Sequence, residues 1–143
     1  MKLAELLRTR AVSPVEVAHA QLDRIAELDG ALGSYALVTP EAALSAAKQA
    51  ESEIAAGNYR GPLHGVPIAV KDLCWTKGIA TAGGMAMYRD FIPAEDATVV
   101  ARLKEAGAVP LGKLTMTEGA YSDYHPSVKR PANPWNSAYW PGI

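Results

Sequence analysis

Val66-Pro67-Ile68-Ala69-Val70-Lys71-Asp72 decides the fold class. Its first five residues are apolar without alternation, as in a strand covered on both faces, and Lys71-Asp72 ends the run abruptly. Pro67 has no amide proton, which puts the start of the strand at a bulge or a sheet edge. Downstream, Gly78 to Gly84 is too glycine-rich for a helix and reads as loop. Asp96 is placed to cap a helix whose Val99, Val100 and Leu103 face inward, with Gly107 closing it. Ala108–Leu111 is then a second short apolar strand, again ending in Gly-Lys. Strand, helix, turn, strand is a layered α/β unit.

Upstream the sequence is helical. Ser13-Pro14-Val15-Glu16 combines a capping hydroxyl, a proline at the first helical position and a glutamate three residues on, which together make a capping box. Val15, Ala18, Leu22 and Ile25 follow at helical spacing, and the helix is expected to end near Leu28, before Asp29-Gly30. A second helix starts at Thr39-Pro40-Glu41 and stops at Gly57, and a shorter one covers about residues 2–9. The chain therefore divides into a helical lead-in of about residues 1–58 and an α/β core segment of about residues 59–143. No closing element follows Pro131, Pro134 and Pro141-Gly142, so the end at Ile143 reads as mid-loop and the chain as a fragment.

The composition narrows the function classes. Of 143 residues, 49% are apolar and 20% charged, enough to bury a core. Fourteen basic against fifteen acidic side chains leave a net charge of −1 with no basic stripe, which speaks against nucleic acid as a partner. Apolar stretches fall far short of the ~20 residues of a membrane helix, so no membrane partner is expected. Cys74 is the sole cysteine, which fits a reducing, cytoplasmic compartment.

Several local patterns invite chemistry and are set aside. Gly107 to Lys113 has the spacing of a phosphate loop, but Leu114 stands where Ser or Thr would hold magnesium, and the apolar strand lies between the glycines. Ser122-Asp123-Tyr124-His125 collects the groups of a hydrolytic triad, yet neighbours in sequence cannot easily aim at one another. His19, His64, His125, Asp72 and Asp123 lack the spacing of a metal site, and a Cys74–His64 thiol dyad is weaker than a buried cysteine. Lys71 differs in kind. A strand delivers it into a glycine-lined region, where partial desolvation would favour the neutral amine and make it a base.

Gly61-Pro62-Leu63-His64-Gly65-Val66-Pro67-Ile68-Ala69-Val70-Lys71-Asp72 resembles the lysine segment of the amidase signature family. In the family's order and spacing follow Pro93 to Val100, Gly107-Ala108, Leu111-Gly112-Lys113, Met116-Thr117-Glu118, Asn133-Pro134-Trp135-Asn136 and Pro141-Gly142. The resemblance spans about residues 60–143.

It implies a mixed β-sheet flanked by α-helices and hydrolysis of carbon–nitrogen amide bonds by a Ser–cis-Ser–Lys mechanism. Lys71 matches the catalytic lysine, Met116 a residue that lines the acyl pocket in substrate binding, and no metal or organic cofactor is implied. The partner is a small-molecule amide substrate, and the full-length enzyme is a candidate homo-oligomer. Neither serine is present, because the family's serine-rich signature begins after a Pro-Gly like Pro141-Gly142, so this chain alone is expected to be inactive. Members that work on glutamyl-tRNA as amidotransferase subunits usually carry Lys-Thr-Asn-Met-Asp-Glu where this chain has Lys113-Leu114-Thr115-Met116-Thr117-Glu118. That departure favours a general or aryl-amide hydrolase over an amidotransferase subunit, and a non-catalytic remnant stays open as the other alternative.

Overall fold

A computed structural model describes residues 2–121 and 123–139. The capping box forms as expected at the start of the long second helix. Ser13 Oγ accepts the Glu16 amide proton at 3.0 Å, and the Ser13 amide donates to Glu16 Oε2 at 2.8 Å. The elements are α1 Lys2–Arg8, α2 Pro14–Leu32, β1 Tyr35–Val38, α3 Pro40–Ala55, β2 Pro67–Lys71, α4 Thr98–Glu105 and β3 Val109–Leu114.

α2 does not stop at Leu28. It continues through Asp29-Gly30 to Leu32, where Gly33 takes the left-handed conformation (φ 66°) and donates its amide proton to the Asp29 carbonyl at 2.7 Å. Asp29, which looks like a helix stop, instead accepts the Ser34 amide proton on its carboxylate at 2.6 Å and so directs the chain into β1. The ~1 kcal/mol that a helix-interior glycine costs is small beside the packing of α2 on its neighbour.

The three strands form a mixed sheet in the order β1-β3-β2, with β1 antiparallel and β2 parallel to β3. β1 is a strand that the sequence pattern does not announce. β3 begins at Val109 and runs past the expected Leu111 end, through Gly112 and Lys113 to Leu114. Lys113 does not break the strand because its ammonium is satisfied inside the protein. β2 matches its expected position, and its register shifts between Ile68 and Val70. Its burial does not match: only Val70 is buried, because β2 is an edge strand among the described residues and nothing described covers its far side.

α2 and α3 pack on each other, and α3 lies along β3. Ala43, Ala47, Ala50 and Ile54 make the buried face of α3 at helical spacing. The core is small-residue packing of Ala18, Ala43 and Ala47 against Val109 and Leu111. α4 starts at Thr98, one residue later than a cap at Asp96 would put it. The Asp96 carboxylate is taken by the Lys77 amide at 2.7 Å and the Lys104 ammonium at 2.8 Å, and no side chain caps the helix. Val100 points inward and Leu103 is half-buried, but Val99 is 51% exposed, against expectation.

Candidate active site

β2 and β3 are parallel, so their carboxyl ends lie at one end of the sheet, where open α/β sheets bind ligands. Lys71 pairs with Leu114 there. The next residue continues the bond pattern: the Asp72 amide donates to the Leu114 carbonyl at 3.0 Å, and the Cys74 amide closes a turn on the Lys71 carbonyl at 2.9 Å. The expected glycine-rich segment lies alongside, with the Gly83 amide donating to the Asp72 carbonyl at 3.2 Å.

Side chains alternate through this turn. Lys71, Leu73 and Trp75 are exposed, whereas Asp72 and Thr76 are buried and Cys74 is half-buried. The described residues thus leave Lys71 open to solvent on one face. Leu73 and Trp75 line an apolar groove of about 450 Å³ with Tyr88 and Phe91, in which the Trp75 and Phe91 rings meet edge to face at 5.4 Å.

Asp72 lines a cleft of about 710 Å³ whose walls include Tyr35, Gly84, Met85, Met116 and Lys129. Met116 is buried at the wall of this cleft. Gly84 lets the loop lie on the Met116-Thr117 backbone. Its φ is 71°, and a Cβ there would sit 2.7 Å from the Thr117 carbonyl oxygen and 2.8 Å from that of Met116. Behind Asp72 is Lys113, 1% exposed, donating to Thr81 Oγ1 at 2.6 Å and the Cys74 carbonyl at 2.8 Å, with Asp72 Oδ1 at 3.4 Å. Burial pulls the Lys113 ammonium below the ordinary lysine range, and the Asp72 carboxylate opposes that shift. Sequence reasoning singles out Lys71 and misses this pair.

The set-aside patterns stay apart. No phosphate loop exists between Gly107 and Lys113, because β3 fills it and its lysine points into the protein. Asp123 pairs with Arg130 at 2.6 Å and His125 with Ser127 at 2.7 Å, while Ser122 lies outside the described residues, as do Pro141, Gly142 and Ile143. Among the described residues no group of three or more His, Cys, Asp or Glu side chains is placed to hold a metal ion. No described helix is long and apolar enough to cross a membrane.

His64 is fully buried and committed elsewhere than Cys74. Its Nδ1 accepts the Arg60 amide proton at 3.1 Å, and its Nε2 lies 3.1 Å from Glu53 Oε2, which also binds the Arg60 guanidinium at 2.7 Å. Gly107 is glycine because a Cβ would strike the His64 ring. Desolvation lowers the His64 pKa from its ordinary 6.5, against the Glu53 carboxylate. The unfolded chain then takes up the proton first, so this contribution to stability is complete above pH 6.5 and fades as the pH falls through the folded value. Thermal melts of the full-length protein at pH 7.5 and 5.5 are expected to differ by more than those of His64→Gln. An equal drop in both proteins would remove His64 from the pH dependence.

The Amidase family model matches residues 16–143. "Putative amidase AmiD" of Mycobacterium tuberculosis is 56% identical over 142 residues, covering 99% of this chain and 30% of that protein. A glutamyl-tRNA(Gln) amidotransferase subunit of Azoarcus sp. is 47% identical over 143 residues, covering 99% of this chain and 29% of that one. The crystal structure of the peptide amidase PAM with the competitive inhibitor chymostatin matches at a TM-score of 0.88 and 30% identity, over 96% of this chain and 30% of that one. The chain spans about 30% of the length of these relatives.

Proposed function

The chain belongs to the amidase family, and from that premise we propose that it carries the general base, Lys71, of an amide hydrolase. The observation that supports this reading most is the position of Lys71 at the carboxyl end of β2, outward on the edge strand and paired with Leu114 beside the glycine loop. Two serines complete the chemistry, and we place both in the part of the relatives' length that this chain does not span. The Lys71 amine takes a proton from a bridging serine, which takes one from the nucleophilic serine as its oxygen attacks the amide carbon. The C–N bond then breaks, the proton passes to the leaving nitrogen, and water hydrolyses the acyl-serine ester. Met116, in the wall of the cleft, is the candidate contact for the acyl part of the substrate. The free thiol of Cys74 fits a cytoplasmic enzyme.

An amidotransferase role on glutamyl-tRNA is the second reading, favoured by the 47% identity to the Azoarcus protein. Against it stands Thr117, at the place where that branch usually has aspartate. It is 2% exposed, and its hydroxyl has no hydrogen-bond partner among the described residues.

The test is an assay of the full-length gene product on chromogenic anilides and on glutamyl-tRNA, beside the 143-residue chain alone. The full-length protein is expected to release the anilide amine. The short chain is expected to show nothing above background, since each missing oxyanion donor alone costs roughly 10²–10³-fold. A full-length protein inert toward amides but active on glutamyl-tRNA would establish the second reading. Turnover by the short chain that Ser122→Ala abolishes would replace both with a local triad.

A further inference from the structure

A buried ammonium persists in a fold only where its donors are matched. Lys113 has three N–H bonds and three acceptors around it, from Cys74, Thr81 and Asp72. These acceptors belong to two separate segments. Cys74 and Asp72 lie in the turn that leaves β2, and Thr81 lies in the loop that returns along it.

The same turn is held at each neighbouring backbone group. The Asp72 amide is bonded to the Leu114 carbonyl, the Asp72 carbonyl to the Gly83 amide, and the Lys71 carbonyl to the Cys74 amide. Asp72 Oδ2 accepts the Ala82 amide proton at 3.1 Å. The Lys71 side chain itself has no hydrogen-bond partner among the described residues, so the backbone it hangs from sets its direction.

We infer that Lys113 is a positioning residue for Lys71: it clamps the turn from Lys71 to Cys74 to the loop at Thr81 and thereby aims the Lys71 amine. The inference rests on the reading of Lys71 as the base. Lysine suits the task because its four-carbon stem spans from β3 to the turn and its rotatable ammonium serves acceptors from two directions. The planar fork of arginine would need more room than a 1% exposed position gives.

Removing Lys113 alone strands the buried carboxylate of Asp72, so Lys113→Met by itself can fail to fold. The informative protein is therefore the full-length double variant Lys113→Met with Asp72→Asn, which replaces the buried ion pair by neutral groups of similar size. Its active sites are counted by the end-point of labelling with a fluorophosphonate, and kcat is expressed per labelled site. Misplacement of the base by about 1 Å predicts a fall in kcat on the order of 10²-fold, with KM within about threefold of wild type. A purely structural role would lower the number of labelled sites and the melting temperature but leave kcat per site unchanged, and that result overturns the inference. Lys71→Ala, assayed in parallel, separates the two readings. If it keeps wild-type kcat, the proposed base is wrong. If it loses activity while the double variant keeps full kcat per site, only the role of Lys113 falls.

Discussion

Lys71→Ala in the full-length protein is expected to lower kcat for amide hydrolysis by roughly 10²–10⁴-fold, the share a general base usually supplies. The fold should barely change, because among the described residues the side chain is exposed at the end of its strand. Lys71→Arg is expected to fail almost as badly. A guanidinium stays protonated throughout the working pH range and cannot accept the serine proton, so restoring the positive charge does not restore the base. Cys74→Ala is the control, since Cys74 takes part in the turn through its backbone. Initial rates on a chromogenic anilide decide the matter: wild-type turnover by either Lys71 variant removes that residue from the mechanism.

Gly112→Ala is expected to be the most damaging single methyl group in the sheet. Gly112 pairs with Val38 across β1 and β3, and a Cβ there would run into the Leu37 carbonyl oxygen and come within 3.0 Å of the Val38 Cα. Both obstacles are backbone, so no rotamer change relieves them, and only separation of β1 from the central strand makes room. A loss of about 3 kcal/mol or more follows, in the range of overpacking and backbone strain rather than of surface substitutions. Gly57→Ala, where a Cβ meets nothing within 4 Å but φ is 86°, gives the comparison for conformational cost alone. Denaturant midpoints of the full-length variants measure the difference. A Gly112→Ala midpoint equal to that of Gly57→Ala would show that β1 and β3 approach each other less closely than this.

What the sequence disclosed was whatever is encoded within a few neighbouring residues. The Ser13–Glu16 box is one turn of chain, and both of its hydrogen bonds form. Gly107 ends α4 in a left-handed conformation, and among the described residues the proline at the start of β2 lies on an edge strand. Lys71 stands at the end of its strand as expected. What stayed hidden depends on distant partners. β1 is four residues with no alternation, and only pairing with β3 makes it a strand. Lys113 reads as a polar terminator because its acceptors, the Cys74 carbonyl and the Thr81 hydroxyl, come from a turn and a loop far back in the chain. Asp96 has the chemistry of a cap, yet Lys104 and the Lys77 amide hold it more strongly than the helix start can. The Glu53–Arg60–His64 network has no motif spacing and exists because α3 and the chain after it fold back together.

The strand order β1-β3-β2 also has a bearing on how the protein is made. Of the three described strands the last to leave the ribosome is the one in the middle, and neither of the earlier two has any other partner among the described residues. α2 and α3 can dock while synthesis continues, but Tyr35 must wait for Leu114. At roughly 5–20 residues per second that wait is on the order of ten seconds. During it, β1 is an unpaired apolar segment between two finished helices, and β2 emerges into the same condition. The nascent chain therefore passes through a helical hairpin with these three strands unpaired, a stage at which a holding chaperone has two lone strands to cover and after which one short stretch, Val109–Leu114, pairs with both at once.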